Sequence, residues 1–477
     1  MKSWLERLEI SVVPLAQTLH PILRFDAEYY SHENLRMQER IATIAGQTIQ
    51  EAGGILDCSA FYPSITSAYS NDHTLVPFLR VNELVNGLVS LTSNTVFLPQ
   101  TVLDKNAKTI AIAYPGDIVL AKGGNTLAKV GLVTEEYPAY ATCRDVIILR
   151  THQLKGIGRY FLWAFLHSKY GQAMMWRAAT QTGQPHLTLT AIANLHIPHA
   201  SMVLQDAFEK IYTTSVAHRL KAQAFYQKAK SLLEQAMDLE QKEIAKQQIS
   251  VRSLNEILSA GRIDAEYYQP KYDAILQQLA RISDGTIGTR CNIYDQNFTP
   301  EAATTYRYIE LADIGNQGII TGCTTDTGDN LPTRARRIVH TGNLLVPSIE
   351  GSLQSMALVS DAYDSALCST GFFVLDADDI NSETLLVLFK SAPMQALLKR
   401  QCAGTILTGF DKDALCSIPL PVIPLDVQKQ IQASVRQSFE LRAQAVTLLA
   451  TARRAVECFI EQGEAAALAV LASDSEA

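Results

Sequence analysis

The sequence predicts an α/β (α+β) protein built as two tandem globular halves with two long helices, the helices pairing as an antiparallel coiled coil, and a pseudo-twofold internal repeat throughout. Three observations carry this. The segment Arg24-Phe25-Asp26-Ala27-Glu28-Tyr29-Tyr30 returns as Arg262-Ile263-Asp264-Ala265-Glu266-Tyr267-Tyr268. After each copy the same signals follow in the same order: strand, glycine turn with paired strands, strand, apolar helix, proline, long polar helix. Two stretches, near residues 204–239 and 425–460, place apolar or small side chains at steps of three and four, the spacing of a helix with one packed seam.

Taken in order, Phe78-Leu79-Arg80-Val81-Asn82-Glu83-Leu84 corresponds to Tyr308-Ile309-Glu310-Leu311-Ala312-Asp313-Ile314. Next come turns at Gly116 and Gly342, each leading into an apolar strand, a loop and a second strand that ends at Val133 or Val359. Residues 145–149 and 371–375 form the third matching element, a strand. The apolar helix with a Gln-Ala step occupies 161–176 in one half and 385–398 in the other. It leads to Leu195-His196-Ile197-Pro198 and to Cys416-Ser417-Ile418-Pro419.

Proline cannot sit inside a helix, so Pro198, and Pro419 with Pro421 and Pro424, mark where the long helices begin. The first seam is predicted to contain Leu204, Phe208, Ile211, Ser215, His218, Ala222, Phe225, Ala229, Leu232, Ala236 and Leu239. The small residues among these allow a partner helix to come close, and His218 is read as a packed side chain rather than a ligand. The second seam is looser, with Ile431, Val435, Phe439, Leu441, Ala445, Leu448, Ala452, Val456 and Phe459 facing inward. Running antiparallel, helices of roughly 36 to 40 residues at ~1.5 Å each would form a rod about 55 to 60 Å long, with a globular half at either end. The predicted boundaries are 1–199 and 250–421 for the globular halves, 200–249 and 422–465 for the helices, and 466–477 for a tail.

Composition narrows the class. With 477 residues, 47% hydrophobic, each half can bury its own core. The eight cysteines fall in no CxxC pair and no Cys/His cluster at metal spacing, so reduced thiols are expected, with no metal site. No secretory signal pattern and no apolar run of membrane-spanning length is present, and the expected compartment is the cytoplasm.

A unit built twice suits a target that itself has two comparable halves, and double-stranded DNA is such a target. The formal net charge of −7 excludes simple coating of nucleic acid, because affinity for phosphates requires lysine and arginine. Positive charge must be concentrated locally, as in Arg334-Ala335-Arg336-Arg337 and around Lys105, Lys108, Lys122 and Lys129. Base edges in the major groove are read by Arg or Lys at guanine, Asn or Gln at adenine, and adaptable Ser or Thr contacts. The candidates of the first half are Arg80, Asn82, Lys122, Asn125, Thr126 and Arg144; those of the second are Arg334, Arg336, Arg337, Ser348, Ser352, Gln354 and Thr405. The alternative for each is an ordinary surface or turn residue. The paired carboxylates of Asp-Ala-Glu-Tyr-Tyr could in principle serve acid/base chemistry, but their recurrence at the start of each half favours a packed junction or docking surface.

The duplicated Arg-Φ-Asp-Ala-Glu-Tyr-Tyr segment, the strand at 308–314, Gly342-Asn343-Leu344-Leu345-Val346, and Ile418-Pro419-Leu420-Pro421 before the helix containing Gln428 resemble the DNA-specificity (S) subunit of type I restriction-modification systems. The resemblance covers nearly the whole chain. It implies that 1–199 and 250–421 are target recognition domains, each reading one part of a split DNA site, and that the two helices are the conserved spacer between them. It also implies methyltransferase (M) subunits as partners, two of them, and a restriction (R) motor-nuclease subunit. S-adenosylmethionine, ATP and Mg would be held by those subunits and no cofactor by this chain. The sequence contains no phosphate loop, no Asn/Asp-Pro-Pro-Phe/Tyr tetrapeptide of a base-flipping aminomethyltransferase and no convincing nuclease carboxylate pair, so a non-catalytic chain is expected. Two other readings stay open at this point: a degenerate fused modification enzyme, and an interaction scaffold of another defence complex, which the acidic charge favours.

Overall fold

In a computed structural model, which describes residues 10–19, 27–44, 46–92, 95–179, 185–238, 250–315, 318–404 and 408–473, the chain forms two compact units: residues 1–219 with 443–477, and residues 220–442. Each unit takes half of each long helix, so it is cut differently from the division into domains and spacer helices drawn from the sequence. Arg24, Phe25, Asp26, Leu239 and Thr405 lie outside the described residues.

The first unit contains helices α1 (His32–Ala42), α2 (Arg159–His167), α3 (Lys169–Ala178) and the start of α4 (Met202–Met237). Its strands are β1 (Gly46–Thr48), β2 (Ile55–Cys58), β3 (Val76–Leu79), β4 (Leu84–Val85), β5 (Gly87–Val89), β6 (Val96–Leu98), β7 (Ile112–Ala113), β8 (Ile118–Ala121), β9 (Val130–Leu132), β10 (Tyr140–Thr142), β11 (Val146–Arg150) and β12 (His196–Pro198). They form a six-stranded sheet in the order β2-β11-β8-β9-β5-β4, a four-stranded sheet in the order β6-β3-β10-β7, and the pair β1-β12.

The unbroken apolar runs of β8 and β11 report strands covered on both faces. Ile118, Leu120, Ile147 and Leu149 enter the core that holds Phe161 and Phe165 of α2, whereas Val119, Ala121, Val146 and Ile148 enter a second core shared with Leu79 of β3. Phe78, one residue earlier, points to a third cluster on the far side of the four-stranded sheet. The layers are therefore helix, sheet, sheet and an outer cover.

The second unit repeats this plan with α5 (Pro270–Ile282), α6 (Ser382–Phe389), α7 (Ala392–Gln401) and the start of α8 (Leu425–Gln462). Its strands are β13 (Ser283–Thr286), β14 (Cys291–Tyr294), β15 (Thr305–Ile309), β16 (Thr324–Thr327), β17 (Ala335–Ile338), β18 (Leu344–Pro347), β19 (Ala357–Leu358), β20 (Leu367–Ser369), β21 (Phe372–Ala377) and β22 (Pro419–Pro421). The sheets are β14-β21-β18-β19, β16-β15-β20-β17 and β13-β22. In both units one pair of the second sheet is parallel, β3 with β10 and β15 with β20. Leu344 and Val346 face the helix-side core while Leu345 faces the core between the sheets, as in β8.

Backbone geometry preserves the repeat where side chains have drifted. Gly116 and Gly342 both adopt φ +88°, a conformation that favours glycine. Gly116 N–H donates to Val133 O at 2.9 Å and Gly342 N–H to Val359 O at 2.8 Å. The next side chain in each half closes the turn, Asp117 accepting from Tyr114 N and Asn343 from His340 N. The Gln-Ala step has a structural purpose in both halves. Gln172 Nε2 donates to Leu166 O at 2.8 Å and Ala128 O at 2.9 Å, and Gln395 Nε2 to Phe389 O at 2.8 Å and Leu353 O at 3.1 Å.

The long helices pair within each unit. In the first, Phe208 and Phe459 both pack edge-on against Phe161, and Ser215 meets Ala445, so the two helices run in opposite directions. Leu204, Phe208, Ile211, Ser215, Ala445, Leu448, Ala452 and Val456 are buried there. In the second unit Ala222, Ala229, Ile431 and Val435 are buried, but Tyr226, Leu233 and Met237 occupy the interior where the heptad grid placed Phe225, Leu232 and Ala236, which are half-buried. Phe439 is half-buried as well, with Ser438 inside. A straight helix drifts about 20° per heptad from a strict 3.5-residue repeat, and here the packed face follows the core containing Leu279 and Phe389. Among the described residues no helix is long and apolar enough to cross a membrane.

Candidate nucleic-acid interface

The strand pairings bring several candidates to one edge of each unit. In the first, β3 and β10 run parallel and end together, and Cys143 N–H donates to Leu79 O at 2.9 Å, so the turn starting at Arg80 lies beside Arg144. Lys122, just after β8, donates its N–H to Asp145 O at 2.8 Å and so joins the same edge. Arg144 is exposed, its guanidinium 5.5 Å from the ring centroid of Phe61 and 5.8 Å from that of Tyr62. Ala60 N–H donates to Thr109 O at 2.8 Å, which brings exposed Lys108 to the neighbourhood of Phe61. Burial pushes the Tyr62 hydroxyl up to about 12, so the ring acts as a neutral support.

Asn125 is exposed in the turn Gly124–Thr126 that follows, and Thr126 Oγ1 donates to Gly123 O at 3.2 Å. Asn82 is exposed in the turn after β3. Arg80, expected to reach a base, is committed elsewhere: it pairs at 3.2 Å with the fully buried carboxylate of Glu83, which also accepts from Arg80 N–H and the Thr95 hydroxyl. Leaving that carboxylate unpaired would be costly, so this arginine serves the fold first.

The second unit builds the equivalent edge with different side chains. Ser348 follows β18 as Lys122 follows β8, and its N–H donates to Gly371 O at 2.9 Å, its hydroxyl to the same oxygen at 3.1 Å. Thr370 stands where Arg144 stands in the first unit, and its N–H donates to Arg334 O at 2.9 Å. Arg334 is exposed. Arg336 donates to Thr333 O at 3.0 Å and Thr299 Oγ1 at 3.4 Å, and Arg337 to Phe372 O at 2.8 Å, so both have part of their donor capacity used internally. Ser352 lies on the turn Glu350–Ser352, and exposed Gln354 donates to Gln395 Oε1 at 2.9 Å. Phe61, Tyr62, Thr299 and Thr370 were not singled out from the sequence. The aromatic pair in the Ser-Ala-Phe-Tyr-Pro-Ser loop was the available signal.

The repeated carboxylates hold a junction together. Arg262 forks onto Asp264 at 2.8 and 3.1 Å, holding that carboxyl below its ordinary range. The same guanidinium donates to the carbonyls of Gln401 and Cys402 at the end of α7. Glu266 accepts from the Tyr272 hydroxyl at 2.8 Å, and Arg400 lies 3.8 Å over the ring of Tyr267. Arg177 stands 3.9 Å over Tyr29 in the same way. Asp264 and Glu266 are thus engaged within the fold. Burial pushes the thiols of Cys143 and Cys402 up to about 11, away from nucleophilic character. Among the described residues no group of His, Cys, Asp and Glu could hold a metal ion.

No family model matches the chain, and no curated protein matches it. Over most of its length it matches solved S subunits of type I restriction-modification systems at low identity. It is similar to the S subunit from M. genitalium, with 11% identity over 87% of this chain and 94% of that one, at a TM-score of 0.37. For the HsdS subunit from Thermoanaerobacter tengcongensis the values are 14%, 86%, 97% and 0.25. For a structure described as the basis of complex assembly and conformational transition of the type I R-M system they are 12%, 84%, 97% and 0.26.

Proposed function

We propose that the chain is a DNA-specificity subunit of the type I restriction-modification kind, each unit reading one block of a bipartite duplex site. The observation that carries this reading is the twice-built edge. The bonds from Lys122 N–H to Asp145 O and from Ser348 N–H to Gly371 O are the same bond in two copies, yet the side chains there differ, Lys122 and Arg144 against Ser348 and Thr370. A scaffold kept while the side chains at its edge diverge is what reading two different base sequences requires. Arg144 and Arg334 are assigned to guanine edges or phosphates, Asn82, Asn125 and Gln354 to adenine, and Ser348, Ser352, Thr126 and Thr405 to adaptable contacts. Lys122, Arg336 and Arg337 add positive charge that the net −7 of the chain does not supply globally.

On this reading the chain is not catalytic and acts in the cytoplasm. Two methyltransferase subunits and a restriction subunit assemble on it and hold the S-adenosylmethionine, ATP and Mg. The test is a genome-wide map of base methylation in the native host with and without this gene. Loss of one split motif on deletion is expected; unchanged methylation where the gene is expressed would contradict the proposal.

A further inference from the structure

Among the described residues Phe61 is the most exposed aromatic side chain, 75% exposed on an edge otherwise made of polar and charged groups. It forgoes the burial that a phenylalanine normally gains. Yet the chain leading to it is held: Ala60 N–H is bonded to Thr109 O, the Ser59 hydroxyl donates to Thr142 O at 2.6 Å, and Pro63 follows. Tyr62 anchors the loop by packing on the cluster of Ile65, Phe78 and Leu103. Arg144 places a cation beside both rings. An exposed apolar ring on an anchored loop, flanked by Arg144 and near Lys108, fits a particular partner, a duplex whose backbone and bases meet the cations while the ring meets base faces.

We propose that Phe61 is a wedge that enters a base step in the block read by the first unit, unstacking it and kinking the duplex. This rests on the DNA-specificity reading above and adds a determinant of shape to it. Lys108, exposed near the ring, neutralises phosphate beside the kink, where backbone charges crowd. The wedge belongs to one unit only. In the corresponding loop of the second, Phe298 is half-buried against Tyr306 at 5.8 Å, and its N–H is bonded to Arg336 O. One block of the site is therefore kinked and the other is not.

The test uses the complex captured on the tagged full chain. A randomised duplex library first yields the enriched motif. Duplexes carrying that motif with 2-aminopurine at successive positions then report unstacking by fluorescence. Apart from any brightening that the Phe61→Ala complex shares, wild type should brighten the probe at one step of one block, and Phe61→Ala should abolish that signal and weaken binding about tenfold or more, with an unchanged melting temperature. Phe61→Trp should retain the signal. Enrichment of the bipartite motif with equal affinity and fluorescence for wild type and Phe61→Ala overturns the wedge while leaving the DNA reading intact. No enriched motif from wild type, or preference for single-stranded over duplex probe, overturns both.

Discussion

The Ser215 hydroxyl donates to the carbonyl oxygen of Ala445 at 3.0 Å, inside the contact between the two long helices of the first unit. In the second unit the repeat counterparts make the reciprocal bond, Ser438 to Ala222 O at 2.7 Å. Both serines are buried, and small residues on both sides leave no room for a larger group. Ser215→Leu and Ser438→Leu should each cost about 1–3 kcal/mol by overpacking, and the alanine variants about 1 kcal/mol. Urea denaturation of the four variants checks this; a neutral leucine at either position would show that the helices do not approach as described.

Gln428 is a buried clasp. Its Nε2 donates to Asp379 O at 2.9 Å and Ile423 O at 3.0 Å, and its Oε1 accepts from Asn381 N–H at 3.0 Å. Gln205 does the same in the first unit with Gly156 O, Ala200 O and Gly158 N–H. Gln428→Leu leaves these backbone groups unsatisfied, and a loss of about 1–3 kcal/mol is expected, with a similar loss for Gln205→Leu. Equal urea midpoints for wild type and variants would refute the clasp.

His167, at the end of α2, stacks near Trp163, and burial, with Arg453 adding repulsion, pushes its imidazole down to about 4. Between pH 6.5 and 4 the unfolded chain binds a proton that the folded chain does not. Stability is therefore intact above pH 6.5 and falls as pH drops through that window. The wild type should lose about 2–3 kcal/mol more than His167→Gln between pH 7 and 4.5. Parallel stability profiles for the two proteins would contradict this.

Lys108 is exposed near Phe61 and is expected to contact phosphate. Lys108→Ala should lower the slope of log affinity against log salt by about one and leave the recognised motif unchanged. A changed motif with an unchanged slope would move this residue from the backbone to the bases.

Much of this architecture is readable from the residues. The apolar runs in β8 and β18 and the turn glycines at 116 and 342 locate strands buried on both faces, because their burial depends on local pattern. What escaped depends on pairing across the fold. Arg80 is a base-contact candidate in the sequence; its partner Glu83 is only three residues on, but the burial that commits the pair comes from the packed sheets. Phe61 and Arg144 are far apart in sequence and meet because β2 pairs with β11 and Ser59 is hydrogen-bonded to Thr142. Of the heptad grid on α4, Leu204, Phe208, Ile211, Ser215 and Ala222 are buried and His218 is half-buried, and the packed face departs from the grid at Tyr226, where the second unit's core sets it.

The central claim is that each unit reads its own block of one duplex site. Hydroxyl-radical footprinting and affinity measurement on duplexes carrying the enriched motif, with Arg144→Ala and Arg334→Ala in the complex captured on the full chain, test it most directly. The account predicts two protected blocks, with Arg144→Ala relaxing discrimination in one and Arg334→Ala in the other, each by about 1–3 kcal/mol. A single protected block, or both substitutions acting on the same block, would contradict it.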